Sequence, residues 1–233
     1  MRRLLAALLF AWPVASYAQT TPSPVVVSDI AHFWEAYDAL RSTTDSTRQH
    51  ALLDSLFIDR GSPGLRAIMA RREYTPPSYV DAINAYPRFW DSVRANTLRA
   101  GEYAGEIAMG VDRLRAIYPA LRPAHVYFTI SALVTNGTTL DSLVLVGSEL
   151  ALADSSVVTD EFPGEVGANR RRFFDSNPVD DVVLLNIHEV VHTQQGPFGA
   201  NLLAVALQEG VAEFVSVLAT GHPSAVPAVA FGE

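Results

Sequence analysis

Helical periodicity dominates the first half of the chain. Apolar side chains recur there every three or four residues, which is the spacing that lines one face of an α-helix. Glycine and proline separate the apolar segments and mark where each helix ends. The predicted helices span approximately residues 28–40, 45–60, 62–73, 78–85, 87–98 and 100–118. We therefore expect residues 28–123 to form a helical N-terminal part.

The period changes at His125, where apolar and polar residues begin to alternate. The alternation runs to Ile130, and a second apolar segment follows at Leu143–Gly147. Asn136 and Gly137 lie between the two segments and are typical of a hairpin turn. The pattern predicts two strands of a small antiparallel sheet. It does not distinguish an edge strand from a central one.

Two strongly apolar helices are predicted after the strands. The first is apolar on nearly every side between Val182 and Val191, which indicates a buried helix. Asn177–Asp180 supplies an N-cap, a proline and an acidic first turn, and Gly196 begins a helix stop. The second helix is predicted at Leu202–Ala219. Together these elements predict an α+β fold that is mainly α-helical, with residues 124–233 as its second part.

The N-terminal segment has the pattern of a secretory signal peptide. Met1–Arg3 is positively charged, Leu4–Val14 is apolar, and Ser16–Ala18 has the small residues of a cleavage site. We expect cleavage after Ala18, export to the periplasm or the medium, and a flexible leading segment over residues 19–27. The apolar stretch is shorter than the ~17 residues that a membrane span requires, so we expect no stable membrane anchor.

Composition narrows the classes of partner. Apolar residues make up 49% of the chain and charged residues 18%, which allows a sizeable core, and the absence of cysteine excludes disulfides. After removal of Arg2 and Arg3 the chain would carry 15 basic and 25 acidic residues. That charge disfavours nucleic acid as a partner, because phosphates attract basic proteins. The oligomeric state does not follow from the sequence.

The buried helix carries the motif H-E-x-x-H. Four residues of α-helix turn the chain by about 400°, so His188 and His192 project from the same face one turn apart. Two imidazoles at this spacing can bind one metal ion, and Glu189 lies close enough to act on a water beside it. The motif therefore predicts a site for metal-assisted hydrolysis.

A third metal ligand is predicted on the following helix, because two histidines leave zinc under-coordinated. Sixteen residues separate His192 from Glu209, which is enough chain for a turn and a return to the metal. Glu213 shares its helix face, so one carboxylate can bind the ion while the other orients a histidine. Apolar neighbours such as Leu207 and Phe214 favour burial of this pair over a solvated helix face.

Simpler interpretations stay open at several positions. The two histidines can be hydrogen-bonded core residues that match the motif by chance. Glu149 lies in an acidic segment without the spacing of a calcium loop, and we expect it in a surface loop. Arg170–Arg172 is predicted to be a solvated charge run, with a clamp for a substrate carboxylate as the alternative.

The sequence from His188 to Phe214 resembles the gluzincin branch of the zinc metallopeptidases, in which a glutamate before a glycine is the third zinc ligand. More narrowly, residues 125–221 are similar to the predicted zinc-dependent proteases of the DUF2268 type and to the related gliding-motility lipoprotein GldB. In those families, as here, a strand pair precedes a helix like HEVVHTQQ and then a helix like LQEGVAEF.

The resemblance implies a zincin-like domain that hydrolyses peptide bonds with a metal-activated water. It implies that His188, His192 and Glu209 bind Zn²⁺, that Glu189 is the general base, and that Glu213 lies behind the ligands.

The resemblance also implies an edge strand on which an extended peptide or protein substrate lies. The residues assigned to that strand are Leu143, Val144, Leu145, Val146 and Gly147.

Two departures from the family pattern shape the expectations. The lipoprotein relatives carry a lipid-bearing cysteine, and this chain has none. The sequence also ends soon after the third ligand, so we expect a C-terminally truncated product whose transition-state stabiliser is either His222 or a residue beyond Glu233. The alternative function is a non-catalytic structural or binding protein of the cell envelope, as the likeness to the gliding lipoprotein suggests.

Overall fold

A computed structural model describes residues 23–177, 179–196, 199 and 201–224. The helices are α1 (Ser28–Leu40), α2 (Ser46–Leu53), α3 (Pro63–Arg72), α4 (Pro77–Ala85), α5 (Pro87–Leu98), α6 (Ala100–Ile117), α7 (Ser148–Ala151), α8 (Gly164–Ser176), α9 (Val182–Gln194) and α10 (Leu202–Thr220). The strands are β1 (Val25–Val26), β2 (His125–Thr129), β3 (Gly137–Leu140) and β4 (Leu143–Gly147). The predicted signal peptide and the residues after 224 lie outside this described part.

The prediction of a mainly helical α+β fold is confirmed. Six helices fill residues 28–117 close to their predicted bounds, and α2 continues as a π-helical turn over Asp54–Ile58. Side-chain caps start two of them, since Asp45 accepts from the backbone N–H of Arg48 and Ser62 accepts from that of Leu65.

An aromatic cluster joins the N-terminal helices to the sheet. The ring of Phe33 lies 5.0 Å from Trp34 and Trp90 and 5.4 Å from Phe57, measured between centroids. Tyr79 extends the cluster and donates its hydroxyl to the carbonyl of Ile130 at 2.6 Å. One continuous core therefore holds the helical part and the strands together.

The sheet is mixed rather than antiparallel, which corrects the prediction. Its strand order is β1-β2-β4-β3, with β1 parallel to β2, β2 parallel to β4, and β3 antiparallel to β4. The reason is that Gly137 begins strand β3 instead of forming the turn. The hairpin lies at Asp141 and Ser142, where Asp141 adopts a positive φ of 51°.

The assignment of Leu143–Gly147 as the edge strand was wrong. This segment is β4, and it pairs with β2 on one side and β3 on the other. Its residues from Val144 to Gly147 are buried, as expected of a central strand. The free edge of the sheet next to it belongs to β3, which was too short and too polar to stand out in the sequence.

The leading segment is ordered at its end. Val25 and Val26 form β1 and pair with Val126 and Tyr127, which corrects the prediction that residues 19–27 are flexible throughout. Val25 is buried, so its apolar side chain explains why this part of the segment joins the core.

The acidic segment after β4 begins with the short helix α7, so the prediction of a surface loop was wrong for Glu149. Glu149 is fully buried in α7 and accepts hydrogen bonds from the backbone of Ser131 and Leu133 and from the Ser131 hydroxyl. The triple-arginine run lies in α8, where Arg170 donates to the Leu133 carbonyl at 3.2 Å. These contacts hold the loop before β3 in place.

The last two helices pack against each other and against α6. A short 3-10 turn at Val179–Asp181 precedes α9, so the helix starts later than the predicted cap at Asn177. On α10, Asn201 caps the N-terminus by accepting from the N–H of Ala204 at 2.9 Å. Gly221 ends the helix in the left-handed conformation.

The prediction that apolar neighbours on α10 bury Glu209 and Glu213 was wrong for Glu209, whose side chain is 55% exposed, whereas that of Glu213 is 17% exposed. Only one face of the helix packs, through Ala212, Ser216, Ala219 and Thr220. The exposed large apolar residues of α10 are Leu202, Leu203, Val205, Leu207, Val211, Phe214 and Leu218. By length and composition α10 could cross a membrane, with a mean hydropathy of 1.7 and 17% of the stretch buried.

Candidate metal centre

Close packing of α9 on α6 fixes the position of the histidine face. Gly110 of α6 lies against Ile187, and a Cβ on that glycine would be 2.8 Å from the Ile187 side chain. Ile187 and Val190 are fully buried. His188 and His192 therefore project from a helix that is held firmly by its apolar sides, toward the inner face of α10.

Three predicted ligand atoms meet at one point. Nε2 of His188 and Nε2 of His192 are 2.9 Å apart, and each lies 3.3 Å from Oε2 of Glu209. The histidine side chains are 14% and 13% exposed, whereas that of Glu209 is 55% exposed. The structure thus brings together the three residues that the motif and its spacing predicted.

The spacing of these atoms suits a tetrahedral metal ion. Ligands held at about 2.0–2.1 Å from zinc in a tetrahedron lie roughly 3.3 Å from one another. The two contacts of Glu209 match that distance, and the contact between the histidines is only slightly shorter. Side chains of His188, Glu189 and His192 also lie close enough to hold an ion, with ligand atoms within 4.8 Å of one another. We assign Glu209 as the third ligand because its Oε2 lies 3.3 Å from Nε2 of both histidines.

The outer nitrogens of both imidazoles face oxygen atoms. Nδ1 of His188 is buried and lies 3.3 Å from Oε2 of Glu213, without the alignment of a hydrogen bond. Nδ1 of His192 lies 2.7 Å from Oε1 of Gln195. Oxygen acceptors at Nδ1 favour protons there, which leaves the Nε2 lone pairs of both rings facing one another and a carboxylate. A cation between these atoms would relieve their repulsion.

Glu189 lies beside the candidate ligand atoms. Its side chain is partly buried, and in the sequence it lies between His188 and His192. Burial raises the pKa of Glu189, and the two histidines lower it. A carboxylate with a raised pKa takes up a proton more readily at neutral pH. Its position beside the ligand atoms is the one that the motif predicted.

A cleft of about 280 Å³ leads to Glu189. One wall is a stripe of α9 formed by Val182, Leu185, Asn186 and Glu189. The opposite wall consists of β3 and β4 with the preceding Asn136, and Ala151, Leu152 and Asn177 also line the cleft. Of the described residues that line it, none is basic. The cleft runs between the sheet and the helix that bears Glu189.

Two other clefts are lined by His192 and by His222. A cleft of about 350 Å³ adjoins His192 and Gln195 and is also lined by Arg122 and Asp141. His222 lines a third cleft with Arg113 and Thr220, and none of the three ligands lines that cleft. The structure therefore does not bring His222 to the ligands, and its role as transition-state stabiliser stays a prediction.

The sequence analysis did not predict a role for Gln195, although its side chain contacts His192 directly. It follows the last helical residue of α9 and was predicted to be the last residue of the motif helix, without a role of its own. Its position three residues after His192 is the available signal, since that is one helical turn further on the same face.

Comparison with known proteins adds no assignment. Neither a scan against models of protein families nor searches of curated proteins and of solved structures gave a match. The likeness to gluzincins therefore rests on the motif residues, and a zincin-like fold stays a prediction.

Proposed function

We propose that this protein is an exported zinc metallopeptidase that hydrolyses peptide bonds. The observation that carries the proposal is the meeting of His188 Nε2, His192 Nε2 and Glu209 Oε2 at 2.9–3.3 Å, with Glu189 beside them. Two imidazoles and one carboxylate form the ligand set of a catalytic zinc site, which leaves a fourth position open.

In the proposed reaction the zinc ion would activate water, and side chains of the protein would transfer the proton and hold the ion. Zinc in a site of this composition acts as a Lewis acid that lowers the pKa of water to about 7. Glu189 accepts the proton of the attacking water on its carboxylate and then delivers it to the leaving nitrogen. His188, His192 and Glu209 would hold the ion through side chains whose helices are packed on α6.

Substrate binding is assigned to the edge strand β3 instead of β4. Antiparallel pairing alternates between residues whose backbone groups face the partner strand and residues whose groups face away. The N–H of Gly147 donates to the carbonyl of Asn136, so Thr138 faces β4 and Thr139 faces outward. An extended peptide can therefore pair with the outward backbone of Thr139 while its side chains enter the cleft beside Glu189.

Metal content tests the site first. Protein purified without chelator or nickel resin is analysed by elemental mass spectrometry, and the wild type should hold about one zinc per chain. His188→Ala and Glu209→Ala should lose it. His50→Ala is the matched control, because His50 lies on α2 and bonds to the carbonyl of Ser46. A wild type without stoichiometric metal would refute the proposal.

Activity tests the chemistry. Glu189→Gln should keep the zinc but lose the cleavage of a peptide library, because the amide cannot accept the proton. Glu165→Gln, on the exposed first turn of α8, should cleave normally. Zinc binding without any cleavage by the wild type would instead support the non-catalytic envelope role.

A further inference from the structure

Gln195 connects the two helices that supply the ligands. Its Oε1 lies 2.7 Å from Nδ1 of His192, and its Nε2 donates to the backbone carbonyl of Gln208 at 2.9 Å. Gln208 directly precedes the ligand Glu209 on α10. One side-chain amide therefore touches a ligand of α9 and the backbone beside a ligand of α10.

The contact with α10 fixes which way the amide points. A backbone carbonyl can only accept hydrogen bonds, so the NH₂ end of Gln195 must face Gln208. The oxygen end then faces His192, and an amide oxygen also only accepts. Nδ1 of His192 must therefore carry the proton in this hydrogen bond.

The position of that proton decides what the other side of the ring offers. A neutral imidazole with its proton on Nδ1 has a lone pair on Nε2. Nε2 of His192 is the atom that lies 2.9 Å from His188 and 3.3 Å from Glu209. The lone pair thus points at the place where the ligand atoms meet.

We propose that Gln195 is a positioning residue of the metal centre, which holds His192 in its metal-binding tautomer and ties α10 to the end of α9. The proposal rests on the metal site described above and deepens it. Removal of a hydrogen-bond partner of a metal-binding histidine typically weakens metal binding by about 10- to 100-fold.

The neighbouring glutamine provides a matched control. Gln194 accepts from the N–H of Arg122 and donates to the carbonyl of the same residue, so it secures the end of α9 without touching a ligand. Gln194→Leu and Gln195→Leu change the same atoms at adjacent positions. Only the second removes the acceptor at His192.

Zinc affinity, measured by competition with a chromophoric chelator, is the first readout. Gln195→Leu should bind zinc about 10- to 100-fold more weakly than the wild type, and Gln194→Leu should bind it within a few-fold. Gln195→Glu keeps an acceptor at Nδ1 but loses the donor to the carbonyl of Gln208, so it should recover part of the affinity. Circular dichroism and thermal melting check that each variant is folded.

The tautomer of His192 in metal-free protein is the second readout, measured by nitrogen-15 NMR at a pH where the ring is neutral. The wild type and Gln195→Glu should show the proton on Nδ1, whereas Gln195→Leu should show a mixture of tautomers. Wild-type affinity in Gln195→Leu, an unchanged tautomer in that variant, or an equal loss in Gln194→Leu would overturn the proposal.

The two readouts separate this proposal from the proposed function. If the wild type binds no zinc, the metallopeptidase assignment fails, while the tautomer measurement still decides what Gln195 does to His192. If the wild type binds zinc and Gln195→Leu binds it equally well, only the role of Gln195 fails.

Discussion

The carboxylate of Glu213 lies 3.3 Å from Nδ1 of His188, on the opposite side of the imidazole from Glu209. The two glutamates are one helical turn apart on α10, yet their surroundings differ. The side chain of Glu213 is 17% exposed and that of Glu209 is 55% exposed. The hydroxyl of Ser224 also donates to Glu213. Glu213 is thus placed to orient the ring and Glu209 to bind the ion.

This difference predicts unequal effects of the same substitution. Glu209→Gln removes a ligand and should abolish stoichiometric zinc binding. Glu213→Gln leaves the ligands in place and should weaken zinc binding by about 10- to 100-fold, because only the orientation of His188 is lost. Chelator competition measures both. Equal losses in the two variants would contradict the assignment of the ligand.

The outward backbone of β3 predicts a position-specific effect of proline. Thr139→Pro removes an N–H that faces away from β4 and should raise the KM for peptide substrates by about 2- to 10-fold, the value of one hydrogen bond. The fold should tolerate it because the pairing with β4 is untouched.

The control for this prediction is the adjacent position. Thr138→Pro removes an N–H that faces β4, so it should lower the melting temperature where Thr139→Pro does not. Steady-state kinetics and thermal melting separate the two variants. An unchanged KM in a folded, active Thr139→Pro protein would rule out strand addition at this edge.

Glu149 predicts a dependence of stability on pH. Burial raises the pKa of this carboxyl above its ordinary value of 4.5, against the opposing effect of its hydrogen bonds to Ser131 and Leu133. A group with a raised pKa in the folded state contributes stability that is fully present below the unfolded pKa. That contribution is lost as the pH rises through the folded pKa.

The measurement is urea unfolding of the wild type and Glu149→Gln over a pH series that starts near 4. The free energy of unfolding of the wild type should fall relative to that of Glu149→Gln as the pH rises above 4.5. At low pH the variant should be less stable by roughly 1–3 kcal/mol, because its NH₂ group faces donors. A constant difference across the series would contradict the raised pKa.

The contact between Gly110 and Ile187 predicts that a smaller side chain at Ile187 partly offsets the destabilisation caused by a larger one at Gly110. Gly110→Ala places a methyl group 2.8 Å from the Ile187 side chain and should destabilise the fold by about 1–3 kcal/mol through overpacking. Ile187→Ala opens that space at its own cost. In a double-mutant cycle from urea unfolding, the double variant should be more stable than the sum of the single effects. Simple additivity would show that the helices are not in tight contact here.

The parts of this structure that follow from local periodicity could be predicted from the sequence. His188 and His192 share a face by helical geometry, and the spacing to Glu209 allowed the return of α10. The position of β4 between β2 and β3 could not be predicted, because strand order depends on pairing between distant segments. The burial of Glu149 and the exposure of Leu207 were likewise determined by tertiary packing, which the pattern of residue types does not contain.

The strand order also sets a sequence of events for folding. The helices that carry the ligands are neighbours in the chain, so His188 and Glu209 can find each other through local contacts, which form quickly. In the described part of the chain, strand β3 pairs with β4 alone, and β1 pairs with a strand about 100 residues further along the chain. A two-residue turn at Asp141 and Ser142 joins β3 to β4, so the proposed substrate edge forms as a local hairpin. The docking of this hairpin on β2 and the pairing of β1 with β2 join more distant segments, so this wall of the cleft forms early and reaches its position in the sheet later.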